Sequence, residues 1–344
     1  MESNRTIEDA YAPLTQGVCL HHRYMVRAAV TWDSFCFVYH GFDSKVHQEV
    51  EIWEFFPRNI AERADGSPAV SPINRSCGAL FFLASDAFQR QYAALHQAIG
   101  CANIISVFDA FFENGTAYAV TERVDGVSLA TYVAMQDRPL IDGELGYIAG
   151  ALSDALLVVH SLSILHHDIT KDNILLCTDG TVKLTDFGAA RNTVQTHHEV
   201  DDSKPWIDIR ALGRALYTAY TGNPVPEPVA AICQTVPAMI AGVFERMLTD
   251  DPVLRFESVF DFMHAADGIN LAAVRPQVTQ ARIAEYEARL RNNRAHSVLE
   301  QRRSVEQAAR GVRTDRRRGQ WRITVVFGGT ILLVIALTVL IIRL

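Results

Sequence analysis

One stretch concentrates polar side chains among apolar ones: Ile164–Arg191, ILHHDITKDNILLCTDGTVKLTDFGAAR. It sets two carboxylates, Asp168 and Asp186, and one carboxamide, Asn173, around a hairpin of apolar strands. An ionised carboxylate only accepts, whereas an amide both donates and accepts, so this trio either does chemistry or holds its own loops together. A second group, His197-His198 with Asp201-Asp202, near His166-His167, has the residue types of a metal site. Its spacing matches no ligand signature, and the plainer reading is a solvated polar loop. Cationic partners are few in kind: lysine occurs only at Lys45, Lys171, Lys183 and Lys204, against 28 arginines.

Strands and helices must position these groups. Tyr24–Val30, Phe35–Tyr39 and Glu49–Glu54 are rich in aromatic and branched residues and read as short strands. Residues 57–79, with Asp65-Gly66, Pro68, Pro72 and Gly78, read as a polar loop. Phe88, Tyr92, Leu95 and Ile99 recur at spacings of three and four, predicting a helix over Phe88–Ile99. Strands Ile104–Phe111 and Ala117–Glu122 follow, joined by a turn at Glu113-Asn114-Gly115. From Asp142 the pattern is helical: Leu145–Leu162, Asp208–Thr221 and shorter segments to Asn270. A strand-rich front before a helix-rich rear predicts an α+β chain of two lobes.

Three segments in order carry a resemblance: Val120–Leu129 (VTERVDGVSL), Ile164–Arg191, and Trp206–Gly222 (WIDIRALGRALYTAYTG). With their D-x-x-x-x-N, D-F-G and D-I-x-x-L-G series they resemble the hinge, catalytic loop, metal-binding loop and central rear-lobe helix of a protein kinase. DPVLRF at Asp251–Phe256 resembles the segment whose arginine braces that family's rear lobe. The resemblance runs from about Gly17 to Ile269, and Gln48–Arg63 is most similar to bacterial serine/threonine kinases. It implies a bilobal protein-kinase-like fold: an N-terminal segment 1–16, a front lobe 17–124 and a rear lobe 125–270. It also implies roles. Asp168 would accept a substrate hydroxyl proton, and Asn173 and Asp186 would hold magnesium against the phosphates of ATP. Glu51, Trp53, Glu122, Val124 and Leu175 would line the nucleotide.

The front lobe departs from the family at the positions that touch phosphate. The three glycines of the phosphate-covering loop fall on Thr31, Asp33 and Cys36, where a Cβ obstructs close backbone approach. The family's V-A-I-K-E falls on Val50-Glu51-Ile52-Trp53-Glu54. Residues two apart in a strand share a face, so Glu51 and Trp53 point together, a carboxylate for a small roof and an indole for a lysine. Trp53 has one neutral donor and cannot replace an ammonium. The glutamate that pairs with that lysine falls on Gln91, in Phe88–Leu95 (FQRQYAAL). Lys45 is the one other lysine before the hinge, in a loop with doubtful reach. Behind the hinge, His167 replaces the arginine of H-R-D, and Thr170 replaces the lysine two residues after Asp168. No A-P-E separates Asp186 from Ile207, so the peptide-binding segment is shortened or missing.

Composition limits the rest. Hydrophobic content of 49% and charged content of 21% suit a globular chain of 344 residues. Six scattered cysteines, without a C-x-x-C pair, suit free thiols in a reducing compartment. Residues 281–322 hold 12 arginines against 5 acidic residues, so within a net charge of -7 an acidic body precedes a basic neck. That balance argues against nucleic acid and for a neck beside anionic lipid. Residues 277–322 read as a solvated basic stalk with a ragged apolar stripe at Ile283, Tyr286 and Leu290. Ile323–Ile342 runs 20 residues without a charge, long enough at about 1.5 Å per residue to span a bilayer. Arginines before it place that flank in the cytoplasm.

The expectation is therefore a single-pass, tail-anchored kinase-fold protein that scaffolds a protein partner at the cytoplasmic membrane face, with weak or absent ATP binding. The alternative is an active, atypical ATP- and magnesium-dependent serine/threonine kinase. A more distant one is a different nucleotidyl transfer.

Overall fold

The computed structural model describes residues 13–32, 34–64, 66–195, 204–267 and 271–292. The chain divides into two compact units, Met1–Ile283 and Ala284–Leu344. Of the second, the described part is the end of a helix over 280–292. The apolar run Ile323–Ile342 and the arginine-rich neck after 292 lie outside the described residues, as do His197, His198, Asp201 and Asp202. Among the described residues no helix is long and apolar enough to cross a membrane.

The front lobe is built on β1 (Cys19–Leu20), β2 (Tyr24–Trp32), β3 (Cys36–Asp43) and β4 (Gln48–Phe55). After it come the hairpin β5 (Ala61–Arg63) and β6 (Val70–Pro72), helix α1 (Arg75–Leu95), β7 (Val107–Glu113) and β8 (Thr116–Glu122). Six strands form one sheet in the order β1-β2-β3-β4-β8-β7, every pair antiparallel. On β4, the strand period puts Glu51, Trp53 and Phe55 on one face, where Phe55 packs 6.0 Å from Phe81 and 5.6 Å from Phe88 of α1. Glu54 faces the other way and is buried. Its carboxylate accepts from Tyr39 at 2.6 Å, Tyr118 at 2.5 Å and Arg63 at 2.5 Å, a fully bonded ion pair that tethers the β5–β6 hairpin to the sheet.

Two expectations are corrected here. Residues 57–79 are not a loop: they hold β5, β6 and the first turn of α1. That helix starts thirteen residues before Phe88, at Arg75, where Asn74 caps it by accepting the Cys77 N–H at 3.0 Å. Phe81 and Ala84 extend its buried stripe two turns toward the N-terminus. It ends at Leu95 and passes into a short 3-10 turn, His96–Ala98, rather than continuing through Ile99.

The rear lobe comprises β9 (Gly126–Ser128), α2 (Leu129–Gln136), α3 (Asp142–Ser161), β10 (Ile174–Cys177), β11 (Val182–Leu184), α4 (Ala189–Gln195), α5 (Trp206–Thr221), α6 (Ala238–Leu248) and α7 (Val259–Asp267). β9, β10 and β11 pair antiparallel under the helices. Helix α5 runs through the lobe with Ile209, Leu212, Leu216 and Ala219 buried at helical spacing. The expected α+β arrangement of two lobes is present.

Its limits differ from expectation at both ends. Leu14 is buried, and its N–H reaches the Tyr39 hydroxyl at 3.1 Å, so the core begins before residue 17. Residues 271–283 belong to the body, so 277–283 are not part of a solvated stalk. Val274 donates to the Gly143 carbonyl at 2.9 Å, and Val278 is only 5% exposed. A Cβ on Gly143 would lie 2.5 Å from the Val274 side chain, which is how closely the segment approaches α3. Replacing Val278 with aspartate should therefore destabilise the body by at least about 2 kcal/mol, or roughly 4–8 °C in thermal unfolding. The same change at exposed Ala273 should leave the melting temperature unmoved. Equal melting of both variants would detach the segment.

Candidate functional site

The floor of the site hangs from one carboxylate. Asp208, in the first turn of α5, is fully buried and accepts the backbone N–H of His166 at 2.8 Å and of His167 at 2.9 Å. The His160 ring lies 2.8 Å away. Burial pushes the Asp208 carboxyl up, but the His160 contact and the two backbone donors prevail and hold it below the usual carboxylate range. His167 adopts the left-handed region, at φ 65°, an uncommon conformation that these bonds maintain. Burial lowers the His166 pKa, so its ring is neutral. The tautomer is fixed by its neighbours: Nε2 faces the Thr185 carbonyl at 3.0 Å and Nδ1 accepts the Asp168 N–H at 3.2 Å. The ring stacks on Phe187 with centroids 4.3 Å apart.

On this floor the three predicted polar residues come together. Asn173 donates to the Asp168 carbonyl at 2.8 Å and to its carboxylate at 3.0 Å. Asp186 sits at φ 56°, also left-handed. Gly188 donates to the His166 carbonyl at 2.7 Å, and a Cβ there would meet the Asp168 Cβ at 2.7 Å, so this crossing admits glycine alone. The sequence reading missed a fourth participant, Arg191 on α4. Its guanidinium is hydrogen-bonded to the Asp168 carboxylate, and its other nitrogen lies 3.2 Å from Asp186 Oδ2. Above it, the Phe35 ring stands 5.1 Å from the guanidinium carbon. The only available hint was an arginine three residues beyond D-F-G in a lysine-poor chain.

A cavity of about 560 Å³ lies between the lobes over these residues. Glu51, Trp53, Val124 and Leu175 line it. Glu122 does not: its carboxylate turns to Lys183 at 2.8 Å and to the Ser106 N–H at 2.7 Å. That pair also engages Lys183. The Trp53 indole N–H donates to the Thr121 hydroxyl at 3.2 Å on the adjoining strand. Burial pushes the Glu51 carboxyl up to about 7, with the Arg123 charge opposing. Lys45 is in the turn after β3, where its N–H bonds Asp43, and does not line the cavity. Thr31 and Cys36 flank a tight β2–β3 end paired as far as Trp32 and Phe37. Behind it, Phe35 accepts the Phe56 N–H at 2.7 Å and Ser34 the Arg58 N–H at 3.0 Å.

Gln91 shows why an amide stands where a glutamate was expected by resemblance. Its Nε2 donates to the Leu165 carbonyl at 3.0 Å, and its Oε1 accepts the Ala189 N–H at 3.0 Å. A carboxylate could make only the second bond. Gln91 thus ties α1 to both the segment before His166 and α4. In the rear, Arg255 lies 4.1 Å over the Trp206 ring and 2.9 Å from Glu257, bracing the start of α5.

The donor chemistry of Asp186 and Asn173 suits magnesium, a hard cation that takes oxygen ligands, but Asp168 and Asp186 already share a guanidinium. The polyphosphate of ATP finds a poorer match: Arg191 is the one cationic side chain lining the cavity among the described residues, against Glu51, Asp168, Asp172 and Asp186. Among the described residues no group of three or more His, Cys, Asp or Glu is placed to hold a metal ion.

Residues 86–224 match the family model of the protein kinase domain. The match opens inside α1, after the strands that carry Thr31, Glu51 and Trp53. The probable serine/threonine-protein kinase PknB of Lactococcus lactis is 35% identical over 109 residues, covering 32% of this chain and 17% of that protein. Human serine/threonine-protein kinase Nek5 is 34% identical over 172 residues, 42% of this chain and 24% of that one. The chain therefore spans less than a quarter of the length of these relatives. Among solved structures, the apo form of PpkA-294 superposes with a TM-score of 0.59 at 22% identity, covering 74% of this chain and 99% of that one. The Mycobacterium tuberculosis PknI kinase domain gives 0.53 at 21%, with the same coverage. Both share this fold.

The raised Glu51 pKa has a measurable consequence. Between pH 4.5 and about 7 the unfolded chain ionises this carboxyl while the folded chain keeps it protonated, so folding stability falls as pH rises through that window. Glu51→Gln should match the wild type near pH 4 and exceed it in stability above pH 7, as read by denaturant unfolding across pH. A constant difference between the two proteins would show that Glu51 titrates normally.

Proposed function

The chain belongs to the protein kinase-like superfamily, and from that premise we propose that it acts as a signalling or scaffold protein whose cleft does not transfer phosphate. One observation carries this reading: the cavity's single cationic side chain among the described residues, Arg191, is held by Asp168 and Asp186, while position 53 presents an indole bonded to Thr121. Phosphoryl transfer depends on positioning and on neutralising phosphate charge. Here neither the strand nor the loop offers a free cation for that purpose. The body instead keeps a rigid two-lobed shape through Gln91, Asp208 and Arg255, which suits binding a protein partner. We place that body at the cytoplasmic face of a membrane, held by Ile323–Ile342 behind the arginine-rich neck.

A second reading, an atypical serine/threonine kinase, is favoured by the intact floor. Asp168, bonded by Asn173, accepts no proton from His166, whose Nδ1 takes the Asp168 N–H, and Asp186 shares the Arg191 guanidinium with Asp168. When bound, magnesium would supply phosphate charge neutralisation, held by Asp186 and Asn173. Asp168 would be the proton acceptor.

The two readings separate on the full-length chain in detergent. Isothermal calorimetry should show no magnesium-ATP binding at low micromolar concentration, and radiolabelled ATP should leave the protein unlabelled. Trp53→Lys alone should not rescue labelling, because Gln91 stays bonded at both ends in place of a glutamate and Arg191 still holds Asp168 and Asp186. Robust labelling of the wild type that disappears in Asp186→Ala would establish the enzyme instead. Separately, deleting 323–344 should move the chain from the membrane to the soluble fraction with its thermal transition intact. Retention in the membrane pellet would rule out this anchor.

A further inference from the structure

Arg191 is seated by more than its two carboxylates. Helix α4 begins directly after Gly188, and its first residue, Ala189, is fixed by the 3.0 Å bond to Gln91. Asn192 closes the first turn on the Gly188 carbonyl at 2.8 Å. The turn aims the guanidinium at Asp168 and Asp186, and Phe35 covers it from the front lobe. Two acceptors and an aromatic face form a seat suited to a planar cation. The Asp186 oxygen among them is one that a divalent ion would take. Two carboxylates and one guanidinium leave a net charge near -1, whereas adding a divalent ion beside the guanidinium would force two cations together in one seat.

We propose that Arg191, seated on Asp168 and Asp186, is a built-in counter-ion that closes a latent divalent-metal site made by Asn173 and Asp186, so that metal enters only when the guanidinium leaves. The proposal rests on reading the cleft as one that does not transfer phosphate, and it names what keeps that cleft idle. It also predicts an order of events: whatever displaces α4 or lifts Phe35 uncovers the metal site.

The test uses the full-length chain in detergent and manganese alone, with free Mn²⁺ counted by electron paramagnetic resonance. The wild type should leave millimolar Mn²⁺ free. Arg191→Ala and Arg191→Gln should each bind it at least tenfold more tightly, and adding Asp186→Asn should cancel the gain. Arg191→Gln keeps a planar polar head, so a folded variant is available if the alanine form fails, with folding checked by circular dichroism. Tight Asp186-dependent Mn²⁺ binding by the wild type would overturn the proposal, because the guanidinium would then yield freely. No gain in a folded variant would overturn it too, since no metal site would lie beneath. No nucleotide is involved, so the outcomes stay separate. A wild type that binds Mn²⁺ yet never labels removes only the closure, whereas Asp186-dependent labelling removes the functional reading.

Discussion

The carboxylate of Asp208 organises most of what surrounds the cleft. Buried at the start of α5, it would be costly to ionise without partners, and it obtains them from two sides: two backbone N–H groups of the loop it supports, and the His160 ring on α3. Those bonds hold His167 in a left-handed conformation, and that turn sets the direction of both His166 and Asp168. His166 then links the catalytic loop to the Thr185–Phe187 strand end through one hydrogen bond and one ring stack. Gly188 completes the crossing because nothing larger fits against Asp168. Each contact relies on the one before it, so the geometry of Asp168, Asn173 and Asp186 is set by packing and backbone bonds. Preservation of that geometry says little about turnover.

The link between lobes is neutral where an ion pair would be expected from the family. An amide at Gln91 satisfies a carbonyl and an N–H at once, fixing α1 to the loop before His166 and to the start of α4. With Trp53 in place of a lysine, a glutamate at 91 would be a partly buried anion without a cation, and would leave the Leu165 carbonyl unpaired. The two substitutions are consistent with each other. The buried charge of the front lobe is placed elsewhere, in Glu54 with Arg63, where two tyrosines complete the bonding.

Local pattern revealed those parts of the fold that local pattern determines. Strands β2, β4 and β8 and helices α3 and α5 lie within a few residues of their expected places, because alternation, helical spacing and turn residues are written in the segment itself. The β5–β6 hairpin was not legible, since it depends on Arg63 reaching Glu54 across the fold. The early start of α1 was masked by Gly78 and Pro72, which look like loop residues although Asn74 supplies a helix cap. Residues 277–283 looked solvated because the burial of Val278 depends on packing against the body, which the local pattern does not show. At the site, side-chain types gave the floor and the Glu51–Trp53 face. They could not show that Glu122 turns to Lys183, or that Arg191 returns to both aspartates, because both depend on where separate segments meet.

Charge in the cleft closes the argument. Four carboxylates line the cavity, and one guanidinium is paired with two of them. A polyanion entering here must approach Glu51 and the aspartates without a compensating ammonium. Each unscreened like-charge contact at 4 Å costs about 4 kcal/mol at an effective dielectric of 20. Burial already keeps Glu51 protonated to higher pH, which removes one charge near neutrality but replaces it with a polar group beside the indole. The guanidinium that faces two of these aspartates is internal to the chain. The indole at position 53 and the seat of Arg191 belong to one electrostatic arrangement: position 53 brings no cation to the cleft, and the positive charge facing Asp168 and Asp186 comes from α4.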